Sequence, residues 1–327
     1  MGYTPPYEVT EEMLELVSEI MELIGGISSV DNLNKLPRLR RSSRIRSIHS
    51  SLAIENNTLT YEQVSAILDG KKVIGPPDEI IEAENAIVAY KELENADPFD
   101  LTELLRIHNL MMNRLLSDAG QLRSKGVGVF EDGGKVVYMA PPHGRVHGLM
   151  SDLFLWLKST KVHSLIKSSV FHYELEFIHP FSDGNGRMGR IWQTAILANW
   201  KPIFLWIPVE GIIKERQQGY YNAIAESTKL GSCNPFILFM LHAILQAVRD
   251  IVSGVRAHIN HIDSKVRSLL EVLSDFQLTA QEIMDKLGLK SRNSFRDNYL
   301  NPALDAGVIA LTEPEKPTSR NQKYFRK

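Results

Sequence analysis

The segment His179-Pro180-Phe181-Ser182-Asp183-Gly184-Asn185-Gly186-Arg187-Met188-Gly189-Arg190 separates two apolar helical stretches. Upstream, Phe171, Leu175 and Ile178 fall on one helix face. Pro180 biases His179 away from the helical region, so the upstream helix ends there. Downstream, Met188–Trp200 is helical again. The segment is thus a loop feeding a helix N-terminus, where backbone N–H groups lack intrahelical partners and the helix dipole adds partial positive charge. The glycines of Gly184-Asn185-Gly186 permit unusual dihedrals and close approach, so the amides can converge on an anion. Arg187 and Arg190, three residues apart, share a face and offer two guanidinium forks to a polyphosphate. Asp183 is a hard oxygen ligand, and Mg2+ typically binds through one or two carboxylates plus substrate phosphates. His179 titrates near neutrality and can take a proton from a hydroxyl nucleophile. Each piece alone has a plain structural explanation, as a turn, a pre-proline histidine or a solvated face. Their joint occurrence in twelve residues points to phosphate chemistry. No strand precedes the block and Gly-Lys-Ser/Thr is missing, so it is neither a Walker loop nor a dinucleotide-binding fingerprint.

Around this block the pattern is overwhelmingly helical. Met13, Leu16, Val17, Ile20, Leu23 and Ile24 form one amphipathic stripe, which Gly25-Gly26 is expected to stop. A stretch with Arg38, Arg40, Arg41, Arg44 and Arg46 follows, either a solvated helix face or a phosphate or partner surface. Further helices are expected over Thr60–Leu68, Asp78–Leu93, Leu101–Leu116 and His147–Lys158. Val127–Phe130 and Lys135–Met139 break the period as short β runs around Glu131-Asp132-Gly133-Gly134, a hairpin signal. A lone hairpin is marginal by itself, so it must pack on something or act as a flap.

The 327 residues carry 37 Lys plus Arg against 39 Asp plus Glu, a net charge of −2, which excludes a generally basic nucleic-acid coat. The length favours two units. A hydrophobic content of 43% excludes bulk disorder. A single cysteine, Cys233, excludes both a disulfide framework within the chain and a cysteine-rich zinc site. Met1–Glu8 is polar with no apolar h-region, so no signal peptide is expected and the reducing cytosol is the expected compartment. Pro202–Val209 and Phe236–Val248, the most apolar stretches, fall short of the roughly 20 residues of a membrane span. They are expected as a buried connector and a core helix, with no membrane association.

The block resembles the signature of the Fic (filamentation induced by cAMP) family, His-Pro-Phe-x-x-Gly-Asn-Gly-Arg-x-x-Arg, with every fixed position filled. The resemblance extends over about residues 45–245. It implies a mainly α Fic-type domain with a β-hairpin flap that transfers AMP from ATP to a protein hydroxyl and releases pyrophosphate. Carried over by position, His179 is the general base and Asp183 the Mg2+ ligand. Gly184, Asn185 and Gly186 form the anion nest for the α- and β-phosphates. Arg187 and Arg190 orient the β- and γ-phosphates, and Phe181 anchors the loop. The 127–139 hairpin matches the family's flap, which aligns a target segment by strand addition. Tyr221 and Ile224 fall where the family shapes its adenine pocket, while Thr228 replaces an Asn of some relatives. Upstream, Ser51-Leu-Ala-Ile-Glu55-Asn56 resembles the family's inhibitory-helix motif, Ser/Thr-x-x-x-Glu-Gly/Asn. The motif puts Glu55 on a helix near 45–56 from which its carboxylate would reach Arg190 and deny the γ-phosphate an anchor.

A second unit is expected from Ile262 onward. Val266, Leu269, Leu270 and Leu273 mark one helix, and Thr279 caps a second over Ala280–Leu287, ended by Gly288. Ser291 caps a third running to about Ala306, with Gly307 as its stop. Val308–Leu311 and Lys323–Phe325 then make two strands, the pattern of a winged helix-turn-helix. From Ser264 to Lys327 eleven basic side chains face eight acidic ones, a net of +3. Arg292 and Arg296 sit near the start of the third helix, so either a DNA or a protein partner fits. The expected organisation is an N-terminal helical region over 1–100 bearing the inhibitory segment, a catalytic core over 101–250 and the winged helix over 262–327. The expected activity is that of an autoinhibited protein adenylyltransferase using ATP and Mg2+. The alternatives are removal of AMP from a modified protein, transfer of another nucleotide, and, from a different class, a nucleotide-sensing DNA-binding regulator. A homodimer is left open.

Overall fold

The computed structural model describes residues 3–28, 37–130, 136–273, 276–305, 307–316, 319 and 321–326. The expected hairpin turn Glu131-Asp132-Gly133-Gly134 lies outside the described residues, as do Ala306 and, in the last connector, Pro317, Thr318 and Arg320. The chain forms two compact units, Met1–Asp250 and Ile251–Lys327.

The first unit is helical. Its elements are α1 (Glu11–Ser28), α2 (Pro37–Ile54), α3 (Tyr61–Leu68), α4 (Pro77–Glu92), α5 (Leu101–Met111), β1 (Gly128–Phe130), β2 (Val136–Met139), α6 (His143–Ser159), α7 (Ser164–Ile178) and α8 (Asn185–Trp200). A 3-10 turn (Pro202–Trp206), α9 (Val209–Glu215), α10 (Gln217–Leu230) and the start of α11 (Asn234–Leu273) complete it. The centre is the α7–α8 pair. Both are buried on nearly every face, including polar and charged side chains such as His172, Glu174, Arg187 and Arg190, which must therefore find partners inside. Phe154 of α6 meets Phe171 of α7 and Trp192 of α8 edge-on, with ring centroids 5.3 and 6.4 Å apart.

α2 is held against this centre by polar as well as apolar contacts. Ile45, Ile48 and Leu52 are buried, but so are Ser43, Ser47, Ser50 and Ser51. Buried hydroxyls need partners. Ser47 Oγ donates to Glu210 Oε2 at 2.7 Å, and Tyr90 OH and Thr194 Oγ1 donate to Glu210 Oε1 at 2.9 and 3.4 Å. One buried carboxylate on α9 therefore ties α2, α4 and α8 together. Three arginines of the basic stretch find partners within the chain, while Arg41 and Arg46 remain exposed. Arg41 pairs with Asp69 and Arg44 with Glu94, both at 2.6 Å, and the Arg40 and Arg44 guanidiniums stack over Trp206 at 4.1 and 4.5 Å.

Three sequence expectations are corrected. α1 continues through Gly25-Gly26 to Ser28, because burial of Met13, Ile20 and Ile24 offsets the cost of about 1 kcal/mol per helical glycine. α5 stops at Met111, and Arg114 soon after adopts a left-handed φ of 64°. The apolar stretch near the C-terminus of this unit is longer than expected. Asn234–Gly254, 21 residues of mean hydropathy 1.6, is long and apolar enough to cross a membrane by length and composition. Phe236, Ile237, Met240, Leu241, Ile244 and Val248 are all buried in the protein, so it serves here as a core helix.

α11 runs unbroken through Ile262, and the division between the units falls within it. The second unit adds β3 (Leu278–Thr279), α12 (Ala280–Leu287), α13 (Arg292–Phe295), α14 (Asn301–Asp305), β4 (Ile309–Leu311) and β5 (Lys323–Arg326). Thr279 forms a capping box with Glu282, and Gly288 closes α12 at φ +69°. A π-helical turn, Arg296–Leu300, joins α13 to α14, so the expected third helix is one rod with an interruption. The sheet has three antiparallel strands in the order β3-β5-β4, one more than the sequence announced. Leu269, Leu273, Ile283, Phe295 and Ile309 form its core.

Replacing Glu210 by Ala leaves Ser47 and Tyr90 without their buried acceptor. We expect a loss of at least about 2 kcal/mol, read as a lower urea midpoint.

Candidate active site

α7 ends in a strained residue. His179 sits at φ 51°, ψ 60°, a left-handed conformation uncommon outside glycine. Its N–H still closes the helix onto Leu175 O at 2.9 Å. Arg123, almost fully buried, holds the turn from the other side. Arg123 Nε donates to His179 O at 2.7 Å, Nη2 to Pro141 O at 2.6 Å and to Ile178 O at 3.3 Å, and Nη1 to Lys125 O at 2.8 Å. A single guanidinium thus joins the end of α7 to both ends of the hairpin segment.

The loop floor is a stacked pair. Phe181 is completely buried and lies flat on His108, with centroids 3.7 Å apart and planes 6° from parallel. Gly120 N–H donates to His108 Nδ1 at 2.8 Å, so Nε2 carries the ring proton and donates to Asp183 O at 3.1 Å. Burial pushes the His108 ring down to about 4, so it stays neutral. Asn185 closes the loop. Its Oδ1 accepts from Phe181 N at 2.9 Å and its Nδ2 donates to Phe181 O at 3.0 Å. Expected as a nest residue, Asn185 spends its side chain on the loop and leaves only its backbone to an anion.

Gly184 caps α8 at φ +81°, and a Cβ there would lie 2.8 Å from Met112 Sδ. Asp183 Oδ1 accepts from Gly184 N at 2.6 Å, while the side chain remains 63% exposed at the mouth. Among the described residues no cluster of three metal-ligating side chains occurs. Asp183 nonetheless fits a magnesium ion held by one carboxylate with phosphates supplying the rest.

Both arginines are buried and engaged. Arg187 Nη1 donates to Glu82 Oε1 at 3.0 Å, and Nη2 lies 3.5 Å from Asp183 Oδ2. Arg190 Nε donates to Ser51 Oγ at 3.1 Å, and Nη2 donates to Ser51 O at 3.1 Å and to Glu55 Oε1 at 2.7 Å. Ser51 and Glu55 therefore meet Arg190. Burial pushes the Glu55 carboxyl up, but Arg190, with smaller help from Arg187 and His179, brings it below the ordinary glutamate value. Burial likewise pushes Arg190 down, and the Glu55 carboxylate more than reverses it. The same Glu55 oxygen lies 2.5 Å from where a Cβ of Gly186 would stand. The carboxylate thus sits against the first turn of α8, where an anion is favoured.

One detail differs from expectation. Glu55 is not on a helix, since α2 ends at Ile54. Glu55 and Asn56 form the following turn, Asn56 at φ 67°, a conformation that Asn and Gly tolerate best. The last carbonyls of α2 are capped from outside, Ala53 O by Lys214 Nζ at 2.7 Å and Ile54 O by Gln217 Nε2 at 3.0 Å.

His179 Nδ1 is 3.3 Å from Glu176 O. A carbonyl only accepts, so Nδ1 carries the proton and Nε2 keeps its lone pair. Burial lowers the ring's pKa below the ordinary histidine value. The Glu176 side chain accepts from Tyr220 OH at 3.3 Å, and burial pushes its carboxyl up to about 7. Tyr221 and Ile224 lie on α10. Tyr221 is exposed, packs edge-on against Tyr220 at 5.4 Å, and its OH is 3.5 Å from Gln217 Nε2. Thr228 Oγ1 bonds back to Ile224 O at 3.0 Å and faces Tyr173 OH at 3.2 Å.

Sequence reasoning passed over Arg123, His108, Glu82 and Glu176. His108 had a signal, a polar residue on the apolar face made by Leu104, Ile107 and Met111. The other three carry no local motif.

A family model for the Fic/DOC family matches residues 98–197. A second, for the C-terminal domain of filamentation induced by cAMP protein Fic-like, matches residues 264–325. The crystal structure of a Fic family protein from Desulfovibrio desulfuricans G20 is 46% identical, with a TM-score of 0.75, covering 99% of this chain and 98% of that one. The chain belongs to the Fic family. The Fic fold extends to Fic-1 (residues 134–508) from C. elegans, at a TM-score of 0.64 and 20% identity over 75% of this chain and 73% of that one. Protein adenylyltransferase Fic from Aedes aegypti is 30% identical over 229 residues, 66% of this chain and 43% of that protein. Protein adenylyltransferase fic-1 from Caenorhabditis elegans is 23% identical over 272 residues, 77% of this chain and 50% of that protein. The chain spans about half the length of the curated relatives it matches. This Fic chain fills the whole His179–Arg190 block and carries Glu55 against it.

A Cβ at Gly184 would meet both a left-handed backbone and Met112. Gly184→Ala should cost about 1–2 kcal/mol from the backbone alone, measured as a fall in thermal midpoint.

Proposed function

We propose that this protein is an adenylyltransferase that moves AMP from ATP to a side-chain hydroxyl of a protein, with Glu55 holding it at rest. The observation that carries the reading is the Glu55 carboxylate, 2.7 Å from Arg190 Nη2 and against the Gly186 end of α8. A carboxylate occupies the place built for an anion.

In the active form the same surface takes the triphosphate. The amides of Gly184–Gly186 and the α8 dipole stabilise negative charge, and Arg190, released from Glu55, anchors the terminal phosphate. Asp183 would hold a magnesium ion, whose charge would offset that of the phosphates. His179 Nε2 takes the proton of the target hydroxyl as its oxygen attacks the α-phosphorus, and the bond to pyrophosphate breaks. Nδ1–H stays fixed on Glu176 O, which orients the ring. Arg123 keeps the strained turn in place, so the base is prepositioned. The target segment would add as a strand to the 127–139 hairpin, and Tyr221 and Ile224 would flank the adenine. The C-terminal unit is read as a winged helix that selects location or target, with Arg292 and Arg296 exposed. Removal of AMP by a water placed by Glu55 is the second reading, favoured by that carboxylate's position beside Arg190.

Glu55→Gly should raise automodification from [α-32P]ATP by about tenfold or more, because misplacement of a reacting group by about 1 Å costs on the order of 10²-fold. Unchanged labelling, with no adduct by intact mass in lysate, would remove the autoinhibited-transferase reading.

His179→Ala in that background should lose transfer by roughly 10²–10⁴-fold while retaining ATP affinity. With His179 intact, kcat/KM should be flat above neutrality and fall on acidification. The midpoint should lie below the ordinary histidine value of about 6.5, because burial lowers the base's pKa and protonation removes its lone pair.

A further inference from the structure

The two arginines of the site are held by two different carboxylates. Arg190 pairs with Glu55 in the turn after α2, whereas Arg187 pairs with Glu82 on α4. We propose that Glu82 is a positioning residue for Arg187, presetting that guanidinium for the distal phosphates of ATP, and is not a second brake. The proposal rests on the adenylyl-transfer reading above.

Three observations carry it. Arg187 is almost wholly buried, so its charge requires a fixed counter-ion. Glu82 supplies one through Nη1 at 3.0 Å, leaving Nη2 toward Asp183 at the mouth, 3.5 Å away, and Nε buried with no partner. The guanidinium is therefore clamped at Nη1, with Nη2 directed to the mouth and only weakly engaged there, where an anionic oxygen would improve on a 3.5 Å contact. Second, Glu82 is itself immobilised. Its Oε2 accepts from Asn57 Nδ2 at 2.9 Å, Nδ2 also reaches Glu79 O at 3.1 Å, and Asn57 Oδ1 accepts from Leu59 N at 3.1 Å. Third, the supports differ in kind. Glu55 stands on a two-residue turn, whereas Glu82 stands inside a sixteen-residue helix. A carboxylate that must leave suits the turn. One that must stay suits the helix. A phosphate beside Asp183 at the mouth can engage Nη2 without displacing Glu82 from Nη1.

The test uses the full chain carrying Glu55→Gly, so that the brake does not confound it. Into this parent go Glu82→Ala and, separately, Glu82→Gln, which keeps an acceptor oxygen for Arg187. Binding of Mg-ATP and of AMP is measured for each by calorimetry. AMP lacks the distal phosphates and serves as the internal control for a folded adenosine site. Glu82→Ala should weaken ATP about fivefold or more, the worth of about one hydrogen bond, and leave AMP unchanged. Glu82→Gln should lie between the parent and Glu82→Ala. Transfer of label should fall with ATP affinity. Unchanged ATP affinity in a folded Glu82→Ala protein would overturn the assignment. So would a rise, which would make Glu82 a competitor of the phosphates. Equal loss of ATP and AMP would show a purely structural residue and overturn it as well. Should Glu82→Ala not fold, an unchanged ratio of ATP to AMP affinity in Glu82→Gln decides against it. A parent that binds neither nucleotide would bring down the adenylyl-transfer reading and this assignment together.

Discussion

The pair between Arg190 and Glu55 is the constraint on which the rest of this protein turns. A guanidinium with almost no exposed surface carries a desolvation cost that only a well-placed anion and hydrogen-bond acceptors repay. Ser51 supplies a hydroxyl and a carbonyl, and Glu55 supplies the charge. To deliver them, α2 must end beside the start of α8. The buried Glu210 node, the arginines stacked on Trp206, and the Lys214 and Gln217 caps all fix that meeting. Removing one member of a buried pair is costly because the other charge is left behind. An Arg190 without Glu55 therefore has a strong electrostatic demand for another anion, which in the proposed reaction is the terminal phosphate of ATP.

The loop beside it is built for rigidity. His179 holds a left-handed backbone that costs free energy by itself. Arg123, the His108–Phe181 stack and the Asn185 clamp together over-determine that conformation. None of these groups needs to touch a substrate to matter. They set where the imidazole and the α8 amides stand before anything binds, which is the form of catalysis that static structure expresses most directly.

Much of this was legible in the sequence because it is local. The stop before Pro180, the return to helix after the glycines, the cap at Thr279 and the glycine at 288 each depend on a few neighbouring residues, although α8 begins at Asn185, three residues before the expected Met188. The long block also located His179, Asp183, Arg187 and Arg190, which the fold gathers at the start of α8. What escaped was of three kinds. Some side chains act across fifty or more residues, as Arg123 does on His179 and Glu82 on Arg187, and no spacing rule announces such a pairing. Elsewhere tertiary burial overrode propensity, as where α1 passes through two glycines and α11 runs on past Ile262. The placement of Glu55 one residue beyond its helix belongs to a third group. Asn56 is a letter of the motif, but its role is conformational, since its left-handed backbone turns the chain out of the helix directly after Glu55, with Asn57 N–H closing on Leu52 O at 3.2 Å.

The crowding at Gly186 has an evolutionary consequence. A side chain there would collide with the Glu55 carboxylate, and in the proposed reaction it would also intrude on the seat of the triphosphate. No substitution at this position can abolish restraint while sparing the chemistry. In the proposed reaction, control is therefore shed by changes outside the block, in residues 51–56 or in the contacts that seat α2, and the block itself is left unaltered. Divergence in the first and constancy in the second is the pattern of drift that this geometry permits.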